Sequence, residues 1–62
     1  MQFTSLGYYT KAATLDFLVW LDATDKPLPR KGRALFIALP DGRTAFRVTK
    51  HSADVYQIER NT

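Results

Sequence analysis

Ala13-Thr14-Leu15-Asp16-Phe17-Leu18-Val19-Trp20-Leu21-Asp22-Ala23-Thr24 is the most apolar stretch of the chain, and its period decides the fold. The odd positions, Ala13, Leu15, Phe17, Val19, Leu21 and Ala23, are all apolar. Among the even positions, Thr14, Asp16, Asp22 and Thr24 are polar. Alternation with a period of two marks a half-buried strand. Phe, Val, Trp and Thr also suit a pleated surface. On a helix, apolar residues would surround the whole circumference, with Asp16 one turn from Val19 and Trp20. The one positive sign of a helix is Thr10, which can cap a helix beginning at Lys11-Ala12-Ala13. The pattern predicts a strand over 13–24, with a helix over 11–23 as the alternative.

As a strand, this stretch turns its odd face to the core. Leu18 and Trp20 then share the opposite face, bracketed by Asp16 and Asp22. The plain account is that Phe3, Leu6, Tyr8 and Tyr9 of the N-terminal segment cover them. The sharper account is a partner surface made by Tyr8, Tyr9, Leu18 and Trp20, because Trp and Tyr are enriched where proteins meet.

Downstream, Asp25 to Gly32 (DKPLPRKG) reads as a loop, since two prolines remove ladder donors and Gly32 permits a turn. Arg33–Leu39 and Arg43–Lys50 are two β-prone runs around Pro40-Asp41-Gly42. Asp-Gly between such runs predicts a hairpin with a two-residue type I′ loop. In that register Leu35 faces Val48 and Ile37 faces Phe46 on one side. Phe36 faces Arg47 and Pro40 faces Arg43 on the other. A bulged three-residue loop would pair Phe36 with Phe46 instead, and a slip of one residue exchanges the faces. His51 to Asp54 is a second tight connection, and Val55–Arg60 a last strand that sets Val48 against Ile58 and Arg47 against Glu59. A short C-terminal helix capped by Ser52 is its alternative. The fold class expected is all-β: an antiparallel meander of four to five strands, as an open sheet or small barrel. The alternative is α+β, with residues 11–23 helical on a three-stranded sheet.

The chain has 62 residues, no cysteine and one histidine. That size predicts one small domain over 1–62, with only about 60% of the unfolded surface buried. No disulfide can staple it, and four zinc ligands cannot be assembled from His and Cys. A small core without staples favours self-association, and a homodimer is expected. No apolar run approaches the length of a membrane span. The first ten residues lack the basic and apolar regions of a secretory leader. The expected setting is cytoplasmic, with no membrane partner.

The net charge of +3 is unevenly placed. Residues 26–50 hold seven cations against Asp41 alone, a net of +6. Arg30, Lys31 and Arg33 cluster at the start of one run, and Arg43 and Arg47 alternate along the next, beside Phe36. An aromatic among arginines on an open sheet can stack a base while the cations meet phosphates. The bland counterpart is a solvated strand face, with Arg47 satisfied by Glu59.

No catalytic constellation stands out. His51, Ser52 and Asp54 are adjacent in a turn, without the geometry of a triad. Asp16 and Asp22 would lie roughly 20 Å apart on a strand, beyond the spacing of paired glycosidase carboxylates. Gly32 and Gly42 match no phosphate loop. The sequence predicts no enzyme, no cofactor, no metal and no small-molecule substrate. The expected function is a small basic module contacting nucleic acid through Arg30, Lys31, Arg33, Phe36, Arg43 and Arg47. The alternative is a protein-interaction module, an inhibitor, adaptor or assembly factor, using an exposed Trp20 and Leu18. An open Trp20 face together with an Arg47 engaged by Glu59 would favour the second.

Overall fold

The computed structural model describes residues 2–62. Phe3–Thr10 forms strand β1, Lys11–Trp20 helix α1, Ala34–Ala38 β2, Ala45–Ser52 β3 and Val55–Asn61 β4. The four strands make one antiparallel sheet in the order β1-β4-β3-β2. The mainly β architecture and the β2-β3-β4 meander are as expected. The sheet is open, with β1 and β2 at its edges, and its fourth strand is the N-terminal segment.

The opening stretch is the correction: Lys11–Trp20 is helical, and residues beyond it turn away. Thr10 sits at ψ 164°, and its Oγ1 accepts a hydrogen bond from the Ala13 N–H at 3.2 Å. This satisfies one of the amide groups a helix start leaves open. At the other end Asp22 adopts φ 57°. The Ala23 N–H donates to the Leu18 carbonyl at 2.9 Å and the Asp22 N–H to the Val19 carbonyl at 3.0 Å. These two bonds are a Schellman stop, with aspartate in the left-handed position that glycine usually fills. Leu18 and Ala23, the apolar pair that accompanies this motif, are both buried in the core.

The face that α1 buries is Thr14, Phe17, Leu18 and Leu21, at spacings of three, four and seven. That is the helical period, hidden because Thr14 is polar and because Leu15, Val19 and Trp20 are apolar on the other sides. The Thr14 hydroxyl can be buried because it donates to the Thr10 carbonyl at 2.8 Å. The core predicted from the odd positions is therefore redrawn. Leu15 and Val19 are 43% and 62% exposed, whereas Leu18 is 1% exposed. Leu18 does not share an exposed face with Trp20.

The rest of the core is the helix-side face of the sheet: Ile37 from β2, Phe46 and Val48 from β3, Tyr56 and Ile58 from β4. The hairpin register is the expected one, with Leu35 paired to Val48 and Phe36 to Arg47. The next pair of strands also agrees, with Val48 against Ile58 and Arg47 against Glu59. The turn chemistry differs. Gly42 has φ 72°, and Asp41 does not share the left-handed conformation a type I′ turn requires. Asp41 instead uses its side chain: Oδ1 accepts from the Arg43 and Thr44 N–H groups at 2.8 and 2.9 Å, and Oδ2 from the Thr44 hydroxyl at 2.7 Å. A capped four-residue loop and a two-residue loop preserve the same pairing, so the register survives.

One irregularity shapes the surface. The β1–β4 register shifts between Ser5 and Gly7, a bulge in which Leu6 is the extra residue. Gly7 stands at φ 135°, a conformation that glycine adopts without strain. The Tyr9 ring packs over it, and the Tyr9 hydroxyl donates to the Leu6 carbonyl at 3.0 Å. Bulges re-aim side chains: Leu6 stays on the side of Thr4, where α1 lies, and past the bulge the alternation is reversed, so that Tyr9 and not Tyr8 faces α1.

Candidate functional site

Three surfaces hold the residues singled out in the sequence. The first is the sheet face turned away from α1. Arg47 Nε and Nη2 donate to the two Glu59 carboxylate oxygens at 2.8 and 2.9 Å. The Phe3 ring lies over this guanidinium, 4.5 Å from its centroid, and meets the Phe36 ring at 6.1 Å. Arg47 is thus held by an anion in the sheet plane and an aromatic above it. Its hydrogen bond to Glu59 holds the carboxyl below its ordinary range and raises the guanidinium above its own. Phe36 remains 58% exposed. Tyr8 lies on the same side, its ring tilted edge to face against His51 at 4.8 Å.

The second surface is the entry to β2. The Arg33 N–H donates to the Arg30 carbonyl at 2.9 Å, closing a turn around Gly32 at φ 83°. Arg30, Lys31 and Arg33 are all exposed there. Arg43 is not with them. It belongs to the loop after β2, at the opposite end of the hairpin, so the basic stripe is divided among three places.

The third surface runs along α1. Trp20 is 76% exposed, and its ring stacks on Phe17 at 6.1 Å with an interplanar angle of 26°. Phe17 in turn meets Phe46 edge to face at 5.1 Å, which fixes the base on which Trp20 rests. Leu15 and Val19 are exposed on the outer flank of α1, round the helix from Trp20. Between α1 and β1 runs a groove of about 360 Å³ lined by Leu6, Tyr9, Ala13, Phe17 and Ile58, with Asp16 at its rim. Leu6 is also a wall of a second hollow, about 710 Å³, that contains Thr4, Arg43, Thr44, Arg60 and Asn61.

No family model, curated protein or solved structure matches this chain.

Of the four residues expected at a partner surface, Trp20 and Tyr9 lie on the α1 side, Tyr8 on the opposite sheet face and Leu18 in the core. Leu6, Phe17 and Arg60 were not among the site residues expected from the sequence, which read Leu6 as a cover for Leu18 and Trp20 and Phe17 as core. Leu6 follows from its alternation with Thr4 once β1 is known to pair with β4, and Arg60 from the place of β4 between β1 and β3. Among the described residues no group of three or more His, Cys, Asp or Glu side chains is gathered to hold a metal ion. No helix among them is long and apolar enough to cross a membrane.

Proposed function

We propose that the chain is a protein-interaction module whose binding surface is the outer side of α1 with the groove beside β1. The observation that carries this reading is Trp20. A large aromatic side chain left open on a small domain, on the groove side of α1, is an uncovered apolar group of the kind that marks interaction sites, and Leu15 and Val19 are exposed on the outer flank of the same helix. The engagement of Arg47 by Glu59 and Phe3 supports the same reading, because it takes the central cation of the basic hairpin away from a phosphate. A photo-crosslinking residue at Val19, introduced in cells, tests it. The expected result is a protein adduct that disappears when Trp20→Ala is added, while a crosslinker at Phe36 yields none. A crosslinker at Val19 that yields nothing removes the reading. A second copy of the chain is one partner this surface can take, and sedimentation distinguishes it.

A second reading is phosphate contact through Arg30, Lys31 and Arg33 with a base stacked on Phe36. It is favoured by the exposure of that cluster and of the Phe36 ring. Titration with single- and double-stranded oligonucleotides at several salt concentrations tests it, since phosphate contacts make affinity fall steeply with salt.

A further inference from the structure

The groove and the second hollow meet at Leu6, and they differ in chemistry. The groove walls are apolar, and Trp20 is coupled to them through its stack on Phe17. The hollow is polar and carries two guanidinium groups, those of Arg43 and Arg60. Among the described residues neither forms an ion pair; the pair made by Arg47 and Glu59 lies on the other sheet face. Asp41 also lines the hollow; its oxygens accept from the Arg43 and Thr44 donors of its own loop and its negative charge acts on Arg60, so the two guanidinium groups outweigh it by a single charge. The backbone under Arg43 is fixed a second time by Asn61, whose Nδ2 donates to the Arg43 carbonyl while its Oδ1 accepts from the Ala45 N–H at 2.8 Å. The two cations therefore rise from rigid bases. The charged residue in the lining of the apolar groove is Asp16.

We infer that the paired hollows bind one segment of a partner protein that is amphipathic and acidic at one end. Its large apolar side chains fill the groove beside Trp20, and its carboxylates reach Arg43 and Arg60. This deepens the protein-interaction reading and rests on it. Charge complementarity sets the direction. An acidic end is attracted to Arg43 and Arg60, which together outweigh Asp41, and repelled by Asp16, beside which the groove lining holds no cation, so the segment lies one way along the groove. Bidentate geometry makes arginine the better receiver of carboxylates than lysine.

The sole tryptophan of the chain, Trp20, is the natural reporter, since covering it moves its emission to shorter wavelength. The probes are short tryptophan-free synthetic peptides with leucine anchors at helical spacing. One set ends in glutamates and a matched set in lysines, each with the charged run at either end. Acidic peptides are expected to shift the Trp20 emission and to bind at least tenfold tighter than their lysine counterparts. The variant Arg43→Glu with Arg60→Glu is expected to reverse that preference. Arg30→Glu with Lys31→Glu removes the same charge elsewhere and is expected to leave it in place, which separates a local site from the general positive charge. Circular dichroism confirms that both variants keep the fold. Equal binding of acidic and basic peptides, each lost with Trp20→Ala, overturns the inference and leaves the wider reading standing. Failure of every peptide to bind overturns it as well. So does binding of a mixed-sequence oligonucleotide alone, or a stable dimer whose Trp20 emission is already shifted. If the Val19 crosslinker also yields nothing, the wider reading falls with it.

Discussion

Arg47 and Glu59 are joined by two parallel hydrogen bonds across β3 and β4, at 2.8 and 2.9 Å, beneath the Phe3 ring. The pair ties the two central strands together on the face that α1 does not cover. Arg47 keeps 34% of its side chain exposed and Glu59 12%, so solvent screens part of the attraction. Glu59→Gln is expected to cost about 1 kcal/mol, the upper end for partly exposed pairs. Folding holds the Glu59 carboxyl below its ordinary value of 4.5, first through the Arg47 hydrogen bond. A depressed folded value means that this stabilisation is present above about pH 4.5 and is lost as the pH falls through the folded value. Arg47 is shifted upward, so its share is lost only in strong alkali. Urea denaturation of wild type and Glu59→Gln should differ at neutral pH and converge in acid. Asp41 is also depressed, by the Thr44 and Arg43 amides first, and is common to both proteins, so the difference isolates Glu59.

The start of α1 depends on Thr10. Thr10→Ala removes the acceptor for the Ala13 N–H and is expected to cost about 1 kcal/mol. Thr10→Ser should retain most of it. Chemical denaturation monitored at the helical dichroism band measures both.

The stop of α1 depends on an aspartate at φ 57°. Glycine tolerates that conformation without a Cβ penalty, so Asp22→Gly is expected to raise stability by about 0.5–1 kcal/mol. A β-branched residue is the opposite case, and Asp22→Val should lower it. Thermal melting points in the order Gly, Asp, Val are the expected outcome. Any other order would show that the Schellman stop is not what ends the helix.

Burial on α1 predicts contrasting substitutions. Leu18→Ala opens a cavity beneath the helix and is expected to cost about 2–5 kcal/mol. Leu15→Asp lies on the outer side and should leave the domain folded. Trp20→Ala should change stability by no more than about 0.5 kcal/mol, the range for surface positions, while weakening partner binding. Equal destabilisation by Leu15→Asp and Leu18→Ala, read from urea midpoints, would contradict the helical placement of both residues.

The sequence by itself determined the local pairings of the hairpins. Alternation in residues 33–39 and 43–50, with Asp41-Gly42 between them, was enough to place Leu35 against Val48 and Phe36 against Arg47. The match of Arg47 to Glu59 likewise followed from the register of neighbouring strands. These contacts join residues close in sequence, and a slip would turn apolar side chains outward. The tertiary structure alone decided the state of residues 11–20. Their apolar side chains satisfy a period of two and a period near 3.6 almost equally, because Leu15, Val19 and Trp20 are apolar where a helix meets solvent. What breaks the tie is distant in the chain. β1 takes the free edge of β4, the sheet then presents Phe46, Val48, Tyr56 and Ile58 on one side, and a lone segment with no strand partner covers that apolar face as a helix, which satisfies its own backbone groups. The same long-range pairing brings Leu6, Phe17, Arg43 and Arg60 to one side of the molecule. No spacing in the sequence announces that meeting, because it depends on where β1 docks.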